Sequence, residues 1–205
     1  MRPIRLTYSP DIANLTRYLS NATGATWTLT ETNSSDSLAH TVTIKNDSAT
    51  NHSAKTAILI GTDSANRSLT ETVNLPGSSL TVTSTRYFKT LTSITPSATI
   101  GADTMDIGQG EFMSMIIPLN WRGGIDTINL DITGTIDVTI QQTFDDIQSL
   151  EDFDYTWQNA PSIRLVNATA STNDAYEGVP TAIRLISNSS SPGSKVTISI
   201  VQRDV

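Results

Sequence analysis

Two sets of side chains in this sequence could do acid–base or metal chemistry. One is the pair His40 and His52, the only histidines. The other is the acidic run Asp145, Asp146, Glu151, Asp152 and Asp154. Histidine changes charge near neutral pH, so a hydrolase of the triad type would set one of these imidazoles between a nucleophile and an orienting carboxylate. No Gly-x-Ser-x-Gly elbow accompanies them; His40 stands at the start of a strand pattern and His52 in a polar loop. Both read as surface or interface polar residues. The acidic run has the ligand type that calcium favours but lacks the Asp-x-Asp-x-Asp-Gly spacing of a calcium loop. Phe144, Phe153, Tyr155 and Trp157 interleave with it. Large aromatics rimmed by charge suit a contact surface, so these four are the candidate subunit-contact residues. Trp121 and Trp157 sit beside turn residues and could instead offer sugar-stacking platforms. Ile60-Gly61-Thr62-Asp63 and Ile100-Gly101-Ala102-Asp103 resemble each other, but a phosphate loop needs more glycines and a lysine before a helix. The expectation is no catalytic residue, no cofactor and no metal.

The elements that must position these groups read as strands. Ile4, Leu6 and Tyr8 alternate with polar residues, as do Trp27 and Leu29, and Val42 and Ile44. Alternation of this kind marks strands with one buried face. Ile58-Leu59-Ile60 is a continuous apolar run, which predicts a strand covered on both sides. Ile128, Leu130 and Ile132, then Gly134-Thr135, then Ile136, Val138 and Ile140 predict a hairpin with those six residues inward. Met113–Leu119, Ile163–Val166, Ala182–Ile186 and Val196–Ile200 predict further strands. Ile12, Leu15 and Leu19 share a helical spacing behind Asp11, so one short helix is expected over Asp11–Ser20, and a helical turn near Asp145–Asp154. Many short strands at about ten-residue spacing predict an all-β protein of sandwich or barrel-like modules with little helix. Gly108 and Gly110 mark the expected boundary, giving an N-terminal β-module over 1–108 and a C-terminal β-sandwich module over 109–205.

Composition narrows the function classes. The chain has 205 residues and a net charge of −7. An acidic surface with no Lys/Arg cluster repels phosphate backbones, so nucleic acid is not an expected partner. No stretch approaches the ~20 apolar residues that span a membrane as a helix, so no membrane is expected either. The N-terminus has no apolar run of the signal-peptide type, which predicts folding in the cytoplasm. With no cysteine, disulfides and thiolate metal sites are excluded. Small β-modules without staples have strand edges to cover and marginal cores, which predicts homo-oligomeric packing.

Several segments resemble a family. Ile136–Gln142 leads into Thr143-Phe144-Asp145-Asp146, then Trp157, then Pro180-Thr181-Ala182-Ile183-Arg184-Leu185, ending in Val196–Gln202. In the first half, Ala25–Leu29 leads to Ile60-Gly61-Thr62-Asp63, and Thr83–Phe88 to Ser97–Thr104. This resembles the small β-modules of accessory virion structural proteins of tailed bacteriophages, of the head-decoration or neck and collar type. The resemblance implies a non-enzymatic part of a phage particle, assembled in the host bacterial cytoplasm. Its implied partners are other copies of itself and capsid, portal or neck components. It carries no catalytic residues over. The alternative is a carbohydrate- or receptor-binding module of a tail or surface structure.

Overall fold

The computed structural model describes residues 3–120, 125–147, 155–176 and 178–202. The strands run β1 (Ile4–Tyr8), β2 (Asn14–Ala22), β3 (Ala39–Asn46), β4 (Thr56–Thr62), β5 (Ser68–Asn74), β6 (Thr81–Phe88), β7 (Thr90–Pro96) and β8 (Met105–Met113). They continue with β9 (Ile117–Pro118), β10 (Ile125–Thr133), β11 (Ile136–Thr143), β12 (Gln158–Asn159), β13 (Thr172–Ala175), β14 (Ala182–Ser190) and β15 (Lys195–Gln202). The protein is all-β and antiparallel; among the described residues the one helical element is a 3-10 turn, Ile163–Leu165.

Two compact units divide the chain: Ala13–Phe112, and a second unit built from Met1–Ile12 with Met113–Val205. This differs from a division at residue 108. Gly108 and Gly110 lie inside β8, where close packing rather than a turn requires them. A Cβ on Gly108 would stand 2.1 Å from the Asn14 carbonyl oxygen, and one on Gly110 2.4 Å from Thr41 Oγ1. The N-terminal strand also joins the later unit, because β1 pairs with β15 from Ile4↔Ile200 to Tyr8↔Val196.

In the unit of residues 13–112, one sheet has the order β5-β4-β7, and β8, β3 and β6 lie side by side with β2 paired to β8. Inward residues of both sets share one core: Val42, Ile44, Phe88 and Ile107 with Leu59, Leu69, Leu91 and Ile94. That is a sandwich, with alternate residues of each strand turned inward. β2 replaces the helix expected over Asp11–Ser20. Tyr18 is fully buried while Ile12 and Leu15 are exposed, so the residues at helical spacing do not share a buried face. Burial also drives the Tyr18 phenol above its ordinary pKa. β4 is not covered on both sides: Leu59 is buried, but Ile58 and Ile60 are 42% and 43% exposed.

In the other unit, one sheet has the order β1-β15-β10-β13, and the second places β12, β11 and β14 side by side, with β9 on β14. Leu6, Ile198 and Leu130 form one cross-strand row. Of the six residues expected inward, Ile128, Leu130, Ile136, Val138 and Ile140 are buried; Ile132 is half-buried. They do not form a hairpin. β10 pairs with β13 and β15, whereas β11 pairs with β12 and β14. The link at Gly134, φ +81°, carries the chain from one sheet to the other. Alternation sets which face is buried, but the partner of that face is set by tertiary packing. Ile163–Leu165 is the 3-10 turn and not a strand: Ser162 Oγ accepts from the Arg164 N–H at its start, and Ile163 is 86% exposed. Of the predicted Met113–Leu119 strand, only Ile117–Pro118 pairs as β9, while Met113 closes β8.

Candidate functional site

Register builds the site in the second unit. β11 and β14 pair antiparallel with Gln141↔Arg184, Gln142↔Ile183 and Thr143↔Ala182. Ile183 and Leu185 turn inward, so alternation turns Arg184 to the other face, beside Gln141. Arg184 Nε donates to Gln141 Oε1 at 2.9 Å, and its guanidinium lies 4.1 Å from the centre of the Trp157 ring. A second guanidinium nitrogen faces Met113 Sδ at 3.1 Å. β12 pairs Gln141↔Asn159, which brings the preceding Trp157 to this edge. Tyr155 meets Trp157 edge-on, with ring centres 6.2 Å apart, and gives its phenolic hydrogen to the Ile147 carbonyl at 2.7 Å. A guanidinium stacked on an indole gains from the ring's negative face and loses little hydration, which fixes both groups.

The turn after β11 is equally tied down. Asp145 Oδ2 accepts the Thr156 N–H, and the Thr181 hydroxyl donates to the Asp145 carbonyl at 2.6 Å. Thr181 N–H bonds the Thr143 carbonyl at 2.9 Å. These bonds leave Phe144 turned outward and 53% exposed.

The four aromatic candidates therefore take different roles. Phe144 is exposed, Tyr155 is 5% exposed and serves the unit's interior, and Trp157 is half-buried under Arg184. Phe153 lies outside the described residues, as do Glu151, Asp152, Asp154 and Trp121, and most of the helical turn expected near Asp145–Asp154. Asp145 acts as a turn acceptor, and no group of three or more His, Asp or Glu side chains that could hold a metal ion occurs among the described residues. As a sugar platform, Trp157 has one ring face taken by Arg184. The N-terminal strand β1 pairs with β15 within its own chain's sheet.

The histidines are not surface residues. His40, on β3, is fully buried; Nδ1 stands 2.9 Å from the Gly110 carbonyl oxygen and Nε2 2.9 Å from Asp36 Oδ2. A carbonyl can only accept, so Nδ1 carries a hydrogen. His52 is 3% exposed; Lys55 Nζ donates to its Nδ1 at 3.1 Å and to the Thr99 carbonyl at 2.7 Å. An ammonium can only donate, so Nε2 holds the hydrogen facing Asp103 Oδ2 at 2.9 Å. Asp103 is held below the ordinary carboxylate range first by the Thr50 hydroxyl and then by His52, against a smaller opposing effect of burial, with Ser48 adding less. The His40–Gly110 and His52–Asp103 contacts join segments far apart in sequence, so spacing does not show them; the local hint is Asp36, four residues before His40.

The Asp36–His40 pair should carry stability. Asp36→Ala removes the partner of His40 Nε2 and the acceptor of the Leu38 N–H inside the first unit. A loss of about 3 kcal/mol is expected, because buried polar atoms are left without their hydrogen-bond partners. Denaturant unfolding measures it. A change below about 0.5 kcal/mol, the size of an ordinary surface substitution, would remove the pair from the stabilising set.

The chain matches no protein-family model and no curated protein.

Proposed function

We propose that this chain is a non-enzymatic structural component of a tailed-phage particle, decorating or reinforcing the capsid or the head–tail neck through contacts with its own copies and with other virion proteins. One observation carries the reading. Three of the segments in which the sequence resembles phage β-modules meet at one place: the end of β11, Trp157 and Arg184 of β14. The cluster is held by stacking and backbone hydrogen bonds, and its product is a rigid edge that presents Phe144. An exposed aromatic on a rigid support loses little entropy on docking, as contact anchors require. The histidines support the same reading: on each, both ring nitrogens are engaged within the unit's own framework.

The test uses Phe144→Asp. Its side chain is solvent-facing, so the melting temperature and circular dichroism should match the wild type. Occupancy on particles, measured in a complementation assay, should fall by on the order of tenfold or more, the effect of losing an anchor worth ~1.4 kcal/mol or more. Normal occupancy would take Phe144 out of the contact surface. Selective binding on a glycan array would instead favour the carbohydrate-binding alternative.

A further inference from the structure

We propose that the outer face of the β5-β4-β7 sheet is a self-association surface that packs on the same face of a second copy across a two-fold axis. The proposal rests on the reading above, in which copies of the chain meet in an assembly, and names the face by which they do so.

β4 is the central strand of its sheet, paired with β5 and β7 along its length. Its outward residues are Thr56, Ile58, Ile60 and Thr62. The two isoleucines stay more than two-fifths exposed although they stand in the middle of the sheet. Ile58 is flanked by Thr72 and Thr95, and Ile60 by Thr70 and Ser93. At the outer rows the partners are again Ser, Thr and Asn, so no paired position on this face carries a charged side chain. Protein surfaces are normally about a quarter to a third charged, and an uncharged sheet face of methyls and hydroxyls departs from that.

Two features select a second copy as the occupant. First, Thr-Ile-Ile-Thr reads the same in both directions. A two-fold axis passing between Ile58 and Ile60 sets Ile58 of one copy on Ile60 of the other, and Thr56 on Thr62, so methyl meets methyl and hydroxyl meets hydroxyl. Sheets stack face to face about 10 Å apart, the spacing that such side chains fill. Second, the chain carries −7, so two copies repel at long range, and a face with no charged side chain at its paired positions brings no like charges together. A basic partner would be matched by a face bearing carboxylates, which this one does not.

The face measures roughly 20 by 15 Å, about 300 Å² per copy, from the spacing of strands and residues. A stable pair uses about 800 Å² per partner, so the contact is weak and becomes effective when many copies are held together.

Sedimentation velocity on the intact chain, up to about 1 mM, the range in which weak contacts saturate, tests this. Wild type should show reversible dimerisation. Ile60→Asp should weaken it on the order of a hundredfold, leaving a monomer with unchanged circular dichroism, since an unpaired charge at the contact centre must be desolvated. Thr72→Asp, on the same face but exposed, should act alike and serves if Ile60→Asp misfolds. Leu80→Asp, at an exposed position off this face, should dimerise as wild type. Ile58→Lys combined with Ile60→Asp should restore association, now weakened by salt, because the new lysine meets the new aspartate across the axis. Dimers that persist in Ile60→Asp and Thr72→Asp would overturn this face while leaving self-association intact. A wild type that stays monomeric would overturn the inference altogether; the particle reading would then still be decided separately by particle composition.

Discussion

Replacing Leu130 with aspartate is expected to unfold the unit that contains it. Leu130 is fully buried in β10, in one row with Ile198 of β15 and Leu6 of β1. The substitution removes a buried leucine, worth about 2–3 kcal/mol of transfer free energy. It also puts a carboxylate where no charged partner lies across the ladder, at a further cost of several kcal/mol, or else forces that group to stay protonated. Together these approach the ~5–15 kcal/mol that stabilises a whole domain. Asn129→Asp, one position along and solvent-facing, should change stability by less than about 0.5 kcal/mol. Thermal unfolding of both proteins measures the contrast. Equal melting temperatures would mean that β10 does not bury this face.

That contrast shows what was legible in the sequence. Period-two alternation identifies the buried faces of β10 and β11 residue by residue, because side-chain direction is a local property of a strand. It does not show that Gly134 turns a corner between sheets, since a hairpin and a crossover have the same pattern on either side of a glycine. The Ile58–Ile60 run predicts a doubly covered strand for a related reason: an apolar run reports the residue types and not what stands in front of them. Arg184 and Trp157 stand out in sequence order, yet their stacking depends on β11–β14 register, which no local pattern contains. His40 and His52 look like surface or interface polar residues because the Gly110 carbonyl and the Asp103 carboxylate reach them from distant segments.

Gly108 gives the second large expected effect. As a linker residue it would accept alanine at no cost, and could even gain stability from a stiffer unfolded chain. In the structure, its Cβ would meet three backbone atoms of Asn14 and Leu15 within 2.4 Å. Backbone cannot rotate aside as a side chain can, so β2 must shift away from β8, and with it the fully buried Tyr18. Overpacking of this kind costs about 3 kcal/mol, which lowers the melting temperature of a unit this size by about 10 °C or more. Calorimetry of Gly108→Ala measures it. An unchanged transition would mean that β2 does not lie against β8, and would return Gly108 to the role of a hinge.

Both substitutions test the framework; the proposed role, incorporation into a particle, is tested separately. The most direct measurement is quantitative mass spectrometry of gradient-purified phage particles from cells that produce this chain. The chain is expected to co-purify at a fixed ratio to the major capsid or portal protein, in multiple copies per particle, and Phe144→Asp is expected to lower that ratio. A chain abundant in the lysate but absent from purified particles would contradict it.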